Sequence, residues 1–257
     1  MNRLWILGTA AALTTPRRDY SHLCWELDGR LILLDCGTNA FVRLVEAGLD
    51  PRSLGDIVLT HRHIDHMGSL PVLLDQLRLA GRTEPIRLHG LAATLGTARA
   101  LLDVFAFEGI EETLPIRLVE AAATDGHTVL AGPDFRLRSF MAQHGEPTIS
   151  LRMELVRGDI VAYSADTGPH PGMAAAYRDC TTLVHECTAT AADPPEAEHC
   201  RTVDVGRIAQ AAGVARLIVL HLDSSACVPV AQVRAEIAAH YGGEVVIPTD
   251  RSAYTFG

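Results

Sequence analysis

Three histidines and one aspartate occupy four of six consecutive positions in the first quarter of the chain. They are His61, His63, Asp65 and His66, and they directly follow the apolar run 57–59, which predicts a buried strand. Imidazole and carboxylate are the ligands that zinc and other borderline metals prefer. In His61-x-His63, two side chains of a tightly turning chain can meet one ion, while Asp65 and His66 can point at a second. The segment therefore predicts a metal site, with two ions rather than one.

Three further candidate ligands each follow an apolar run that predicts a strand. They are His144, Asp166 and His221. Functional groups gather in the loops at one edge of a sheet, so the shared placement of these residues argues that they act together. A carboxylate at Asp166 can bridge two ions, which leaves three protein groups for each ion.

The remaining six candidate ligands suffice for two sets of three, with open positions for a bridging water, as a catalytic site requires. One ion would be held by His61, His63 and His144, and the other by Asp65, His66 and His221. Zinc is the expected metal from this ligand chemistry, and Mn²⁺ or Fe²⁺ would fit a His/Asp site nearly as well.

The composition is that of a globular protein and restricts its partners. The 257 residues are 48% hydrophobic and 21% charged, which is ordinary for a folded domain. The net charge of −9 argues against a broad nucleic-acid surface, because such surfaces depend on many Lys and Arg contacts. Lysine is absent, which excludes a catalytic lysine.

The predicted location is the cytoplasm. No apolar run approaches the roughly 20 residues that span a bilayer, and the N-terminal apolar stretch is too short for a signal peptide. The six cysteines show no C-x-x-C spacing and are expected to be free, largely buried thiols; they are Cys24, Cys36, Cys180, Cys187, Cys200 and Cys227.

The elements that must position these residues alternate between strands and helices. Strands are predicted at 4–7, 23–27, 31–35, 56–60, 86–89, 116–119, 135–141, 149–155, 159–164, 181–185, 216–221 and 244–248. Helices are predicted at 40–47, 69–79, 92–104, 203–212 and 228–240. Each half of the chain contains several predicted strands, followed by an alternation of predicted helices and strands. This pattern predicts an α/β fold of two sheets packed face to face with helices outside, a four-layer αββα sandwich in one domain spanning 1–257.

The order and spacing of the candidate ligands resemble those of the metallo-β-lactamase fold superfamily of hydrolases. The resemblance covers nearly the whole chain and implies the same αββα fold and the same assignment of ligands to two ions. Asp35-Cys36-Gly37 is similar to the strand-end Asp-x-Gly of that superfamily, where the carboxylate orients the histidine loop. His63 stands where diiron flavoprotein relatives carry an acidic residue, so the redox branch is not favoured.

Further segments resemble the ribonuclease Z and cyclic phosphodiesterase branch. They are Tyr-Ser-Ala-Asp-Thr at 163–167, His-Glu-Cys-Thr at 185–188 and Glu-His-Cys-Arg-Thr at 198–202. The resemblance implies hydrolysis of a phosphodiester by water that two ions activate. It further implies that Asp65 orients the nucleophile and that His199 protonates or stabilises the leaving alkoxide. Glu186 would orient His199 and raise its pKa.

One departure from that branch affects the choice of substrate. In the bacterial ribonuclease Z pattern, a long basic and glycine-rich arm that grips tRNA is inserted between the equivalents of His144 and Asp166. Here only 145–165 separates them, with Arg152 and Arg157 as its basic residues. The leading hypothesis is therefore a di-metal phosphodiesterase that acts on a small or short phosphodiester.

Several alternatives stay open from the sequence. One is a tRNA 3′ endonuclease without the usual arm, whose partner would be an RNA 3′ end. Another is hydrolysis of an aryl sulfate or a lactone in the same site. A non-catalytic, metal-stabilised binding module is the rival from a different class. Homodimerisation is expected from the branch, and no membrane partner is expected.

Overall fold

A computed structural model of the chain describes residues 2–223 and 228–257 as an alternation of strands and helices. The strands are β1 (Asn2–Gly8), β2 (His22–Leu27), β3 (Arg30–Leu34), β4 (Leu54–Val58), β5 (Ile86–Gly90), β6 (Ile116–Glu120), β7 (His127–Ala131), β8 (Phe135–Met141), β9 (Ile149–Leu155), β10 (Ile160–Tyr163), β11 (Thr182–Glu186), β12 (Arg216–Leu220), β13 (Glu244–Val246) and β14 (Ser252–Phe256). The helices are α1 (Ala40–Glu46), α2 (Ile64–Met67), α3 (Leu70–Leu79), α4 (Ala92–Val104), α5 (Glu108–Glu111), α6 (Met173–Ala176), α7 (Thr202–Ala212) and α8 (Val230–Ala238), with a 3₁₀ turn at Pro51–Ser53.

The described residues form two compact units, and each unit contains one mixed sheet. Unit one consists of 2–9, 16–121 and 249–256, and unit two of 10–15, 122–223, 228–248 and 257. The sheet of unit one has the strand order β14-β1-β2-β3-β4-β5-β6. Strands β3 to β6 are parallel, so their carboxyl ends lie at one edge. Asp35 follows β3 and the histidine loop follows β4, which places both at that edge.

Helices α1, α3 and α4 bury their apolar stripes on one face of the unit-one sheet. Side chains alternate along a strand, so every second residue of β3 to β5 faces these helices. The shared core contains Leu31, Leu33, Ile57, Leu59, Ile86 and Leu88 from the strands and adjoining positions, and Leu44, Leu73, Leu77, Leu95 and Leu102 from the helices. Burial of each such side chain contributes about 1.5 to 3 kcal/mol. The histidine loop therefore leaves a strand that is packed rigidly on its helix-bearing face.

The sheet of unit two brings the carboxyl ends of five strands to one edge. Its order is β13-β12-β11-β10-β9-β8-β7. Strands β10 to β13 are parallel, and β9 is antiparallel to both β8 and β10. Thus β8 and the four strands β10 to β13 run in the same direction. His144, Asp166 and His221 follow β8, β10 and β12 within a few residues, and Glu186 ends β11, so all four lie at the same edge of this sheet.

The predicted α/β class is confirmed, and the predicted helices and strands are present, most of them with shifted ends. The strands β7 and β14 and the short helices α2, α5 and α6 were not predicted. Five of the six cysteines are free and buried thiols, as predicted, and Cys227 lies outside the described residues. Among the described residues, none of the helices combines the length and apolar character that a membrane crossing requires. The assignment of 1–257 to a single domain stays a prediction.

Candidate metal centre

The histidine loop of unit one presents its side chains in two close pairs. Nε2 of His61 lies 3.1 Å from Nδ1 of His63, and Nε2 of His66 lies 3.5 Å from Oδ2 of Asp65. Two ligands of one tetrahedral zinc ion, each about 2.0 to 2.1 Å from the metal, are separated by roughly 3.3 Å. Each pair therefore has the spacing of two ligands that share an ion.

Asp35 anchors this loop from the end of the neighbouring strand. Its fully buried carboxylate accepts hydrogen bonds from Thr60 N (2.8 Å), Thr60 Oγ1 (2.9 Å) and His66 Nδ1 (2.9 Å). Because Nδ1 of His66 donates to Asp35, Nε2 is the nitrogen that carries the lone pair and can bind a metal. The predicted role of Asp35 in orienting the histidine loop agrees with these contacts.

Thr60 fixes the orientation and tautomer of the first histidine, His61. Its hydroxyl donates to Asp35 and lies 3.0 Å from Nδ1 of His61. Because Thr60 donates its one hydroxyl proton to the Asp35 carboxylate, its oxygen can only accept a hydrogen bond from Nδ1–H of His61. His61 therefore also presents Nε2, in agreement with its position 3.1 Å from His63.

Gly37 allows the histidine loop to approach the end of β3. A Cβ atom at this position would overlap the backbone carbonyl of Asp65. Gly37→Ala is therefore expected to displace the loop, to lower the bound zinc per chain and to lower the melting temperature. Gly96→Ala is the matched control, because its Cβ would meet no atom within 4 Å and alanine favours a helix interior. Zinc content by elemental analysis and thermal unfolding measure both; full zinc content in Gly37→Ala would contradict this account.

Unit two contributes a second set of candidate ligands at the edge of its sheet. Nε2 of His221 lies 3.3 Å from Oδ2 of Asp166, which is again the spacing of two ligands on one ion. Nδ1 of His144 donates to the backbone carbonyl of Glu198 at 2.9 Å, so His144 also offers Nε2. A ligand atom of His144 and one of Asp166 lie within 4.8 Å of each other.

Three of these strand ends adopt left-handed backbone conformations, which non-glycine residues avoid. The φ angles are 66° at Asp35, 52° at Ala165 and 56° at His221. Such conformations cost of order 1 to 3 kcal/mol each and cluster at functional sites. The turn before Asp166 is therefore made by an alanine, Ala165, although this residue type is strained there.

Glu186 and His199 form an ion pair beside His221. The Glu186 carboxylate is fully buried and lies 3.3 Å from Nδ1 of His199. It also accepts from the backbone N–H groups of Cys200 (2.8 Å) and Thr188 (3.1 Å). The His199 ring stacks on His221, with centroids 5.6 Å apart and an angle of 18°. These contacts hold His199 in the segment that leads into α7, with its side chain one-fifth exposed.

The environment of His199 favours its charged form. Burial alone would lower the pKa of His199, but the hydrogen bond and the negative charge of Glu186 outweigh burial and, with Asp166 and Glu196, raise the pKa to about 9. An imidazolium that is held beside a carboxylate can donate a proton to an alkoxide or pair with a phosphate oxygen.

Thr188 is a functional candidate that the sequence did not identify. Its hydroxyl donates to Glu186 Oε2 (3.0 Å) and lies 3.0 Å from Nδ1 of His221 and 3.3 Å from Nδ1 of His199. Since the hydroxyl proton goes to the carboxylate, the oxygen accepts from His221 Nδ1–H and leaves Nε2 of His221 for a metal. Only its place two residues after Glu186 in the His-Glu-Cys-Thr segment pointed to this residue.

Thr188→Val is expected to weaken zinc binding by about 10- to 100-fold, the usual effect of removing a hydrogen bond to a metal-binding histidine. Thr188→Ser is the matched control, because it keeps the hydroxyl and loses one methyl group. The measurement is competition of each variant with a chromogenic zinc chelator. Equal affinities in the valine and serine variants would show that the hydroxyl does not orient His221.

Every predicted site residue thus lies at the carboxyl-terminal edge of the sheet in its own unit. Unit one holds His61, His63, Asp65 and His66, and unit two holds His144, Asp166, Glu186, His199 and His221. Their donor atoms are imidazole nitrogens and carboxylate oxygens, with tautomers fixed by Asp35, Thr60, Glu198 and Thr188. The donor set fits zinc or a similar divalent ion.

The comparisons with known proteins agree with this chemistry. Residues 30–222 match the family model described as "Beta-lactamase superfamily domain". A ribonuclease Z from Gemmatimonas aurantiaca is 28% identical over 271 residues, covering 85% of this chain and 84% of the relative.

Solved structures confirm the predicted metallo-β-lactamase fold. The metallo-β-lactamase fold protein YhfI from Bacillus subtilis has a TM-score of 0.83 at 20% identity, covering 98% of both chains. The short form of human tRNase Z has a TM-score of 0.79 at 19% identity, and a diphosphatase of the PhnP family has 0.75 at 16%. The match to human tRNase Z covers 100% of both chains. The match to the diphosphatase covers 100% of this chain and 98% of the other.

Proposed function

Because the chain belongs to the β-lactamase superfamily and is a metallo-hydrolase, we propose that it is a di-metal phosphodiesterase for small or short phosphodiesters. The observation that carries the choice of substrate is the structure of 145–165. This segment lies where the bacterial ribonuclease Z pattern inserts its arm, and here β9 and β10 occupy most of it. A tight turn joins them, with Leu155 N donating to Asp159 O at 2.9 Å.

The two arginines of this segment offer little to a polyanion. Arg152 donates to the backbone carbonyls of Ala176 (3.1 Å) and Arg178 (2.7 Å) and to the carboxylate of Glu154 (3.2 Å). Its guanidinium is therefore committed to the protein. Arg157 is exposed, but it lies in the turn before β10 and therefore at the sheet edge opposite the one that carries the candidate ligands. RNA affinity rises with the number of phosphates that basic side chains neutralise, so this segment supports a small substrate over tRNA.

The proposed ligand sets are those of the superfamily pattern. His61, His63 and His144 would hold one ion, Asp65, His66 and His221 the other, and Asp166 both. When bound, two divalent ions supply an activated water at neutral pH and neutralise the charge on the phosphate oxygens. Zinc is the proposed metal because of the imidazole-rich donor set.

Three residues of the chain orient the nucleophile and protonate the leaving group. Asp65 orients the attacking oxygen toward phosphorus. As the new P–O bond forms, the ester P–O bond on the opposite side breaks, and His199 donates its proton to the departing alkoxide oxygen. Glu186 keeps His199 protonated and in place. The products are a phosphomonoester and an alcohol.

A second candidate is tRNA 3′ processing, which the ribonuclease Z relative favours. In that case the substrate would be an RNA 3′ end, and the absent arm would be dispensable or supplied by a partner. Arylsulfatase or lactonase activity and a purely binding role complete the set of alternatives. We further propose a cytoplasmic location, which suits the free thiols, and the homodimer stays a prediction.

The deciding experiment compares kcat/KM of the zinc-loaded protein on bis(p-nitrophenyl) phosphate and on a precursor tRNA with a 3′ trailer. Turnover of the small diester with little tRNA cleavage supports the proposal. Efficient cleavage at the tRNA 3′ end would replace it with ribonuclease Z. If the protein hydrolyses neither phosphodiester but does hydrolyse sulfate esters or lactones, the bond that it cleaves would be a sulfate ester or lactone bond. If zinc raises the melting temperature but no substrate is hydrolysed, the chain would be a non-catalytic, metal-stabilised binding module.

A further inference from the structure

Glu186 and His199 are separated by the distance that two ligands of one metal ion show. Oε1 of Glu186 lies 3.3 Å from Nδ1 of His199, and two ligands of a tetrahedral zinc ion are roughly 3.3 Å apart. The candidate ligands His221 and Asp166 have the same separation, 3.3 Å between Nε2 and Oδ2. The contact between Glu186 and His199 can therefore hold a divalent cation as well as a proton.

Donors from three parts of the unit-two fold converge at this contact. Glu186 ends β11, His199 precedes α7 and His221 follows β12, and donor atoms of these three residues all lie within 4.8 Å of one another. The hydroxyl oxygen of Thr188 lies 3.3 Å from Nδ1 of His199 and 3.0 Å from Oε2 of Glu186. A cation between Glu186 and His199 would thus have further nitrogen and oxygen donors nearby.

The Glu186 carboxylate is preorganised as a ligand. It is fully buried, and backbone N–H groups hold each of its oxygens. Cys200 N donates to Oε1 at 2.8 Å, and Thr188 N donates to Oε2 at 3.1 Å. The side chain of His199 is one-fifth exposed, so a cation from solvent can reach the pair past this side chain. A cation can therefore bind without any movement of the carboxylate.

We propose that Glu186 and His199 bind a third zinc ion when zinc is in excess over the two catalytic ions, and that this ion inhibits the enzyme. The inference rests on the phosphodiesterase function above and adds a form of its regulation. The ion bonds to Oε1 of Glu186 and Nδ1 of His199, the Nδ1 proton passes to solvent, and water completes the coordination. Because His221 belongs to a catalytic ion, repulsion between neighbouring ions makes the third ion the most weakly bound.

The third ion stops proton donation by His199. With zinc on Nδ1, the ring is a neutral imidazole whose remaining proton is on Nε2. Transfer of that proton to an alkoxide would leave an imidazolate, which is a far stronger base than the neutral imidazole that an imidazolium leaves. Hydrolysis of a diester with an alkyl leaving group should therefore fall, whereas p-nitrophenolate can still depart without a proton.

Equilibrium dialysis against a series of buffered zinc concentrations counts the ions per chain. The wild-type chain is expected to bind a third ion at higher free zinc than the first two. His199→Ala and Glu186→Gln should keep the first two ions and bind the third about tenfold more weakly or worse, since even a partner that only orients a ligand contributes about 10-fold. His127→Gln is the matched control, because His127 belongs to no candidate ligand group of the described residues. Circular dichroism and melting temperature verify that each variant is folded.

Kinetics on two diesters tests the inhibition. Ethanol release from diethyl phosphate is followed by NMR, and bis(p-nitrophenyl) phosphate is assayed beside it, first with two zinc ions bound and then with excess zinc. Saturation of the third site is expected to lower kcat on diethyl phosphate by about 10²-fold or more, as the loss of a proton donor does. The effect on bis(p-nitrophenyl) phosphate should be much smaller.

The outcomes separate this inference from the function on which it rests. Binding of only two ions, or a third ion whose affinity both variants leave unchanged, overturns the inference while phosphodiesterase activity stands. Equal inhibition of both diesters would place the excess zinc at the catalytic ions and would also overturn it. No hydrolysis of either diester with two zinc ions bound overturns the phosphodiesterase function, and the inhibitory role with it.

Discussion

Asp65→Ala is expected to lower kcat/KM on bis(p-nitrophenyl) phosphate by about 10²- to 10⁴-fold, the range for removing a positioned proton-transfer group. Asp65 lies in the first turn of α2, is 6% exposed and places its carboxylate 3.5 Å from Nε2 of His66. In the proposed function it is both a metal ligand and the group that orients the nucleophile. Alanine removes both contributions, so the loss should appear mainly in kcat.

Metal analysis separates these two contributions. Asp65→Ala should bind less zinc than the wild-type chain, whereas Asp65→Asn keeps a ligand oxygen and should retain more zinc with low activity. Asp75→Asn on α3 is the matched control, since Asp75 forms a partly exposed ion pair with Arg78 and should keep full activity. If Asp65→Ala hydrolysed the diester at the wild-type rate with full zinc content, the assignment of Asp65 would be wrong.

The sequence predicted the elements that have strong local patterns. Residues 92–104 have no helix breaker other than Gly96 and form α4 with the predicted bounds, and β8 and β9 also match their predicted bounds. The strand β14 was missed because its partner β1 lies about 250 residues earlier, and short edge strands have little hydrophobic signal. The helix α2 has four residues, which is too short for helical periodicity to be visible.

The candidate site was predictable to the extent that its residue types are rare in such density. Four ligand-type side chains in 61–66 predict a metal site without any structure. Apart from Asp35, the groups that fix the histidine tautomers carry no such signal. His144 is oriented by a backbone carbonyl at Glu198, and His221 by the hydroxyl of Thr188, 33 residues earlier. These partners meet only after the strands of unit two have assembled.

His199→Ala is expected to lower kcat by about 10²- to 10⁴-fold on a diester with an alkyl leaving group, with zinc content retained. The loss should be much smaller on bis(p-nitrophenyl) phosphate, because p-nitrophenolate is stable enough to depart without a proton. This difference between substrates distinguishes a proton donor from a residue that only binds phosphate, whose loss would affect both diesters equally. His127→Gln on β7 is the control histidine. Unchanged turnover of the alkyl diester in His199→Ala would contradict the leaving-group role.

Glu186→Gln tests the proton-donating role of His199 by changing the pKa of His199. Protonated His199 is the active form, and its pKa of about 9 should keep the wild-type enzyme active until the pH approaches that value. The amide removes the negative charge that raises the pKa, so the alkaline limb of the kcat profile on the alkyl diester should move to lower pH. The glutamine oxygen can still accept the N–H of Cys200, which keeps the segment before α7 in place. A lower kcat with an unmoved alkaline limb would mean that Glu186 holds the backbone at Cys200 and Thr188 and does not tune His199.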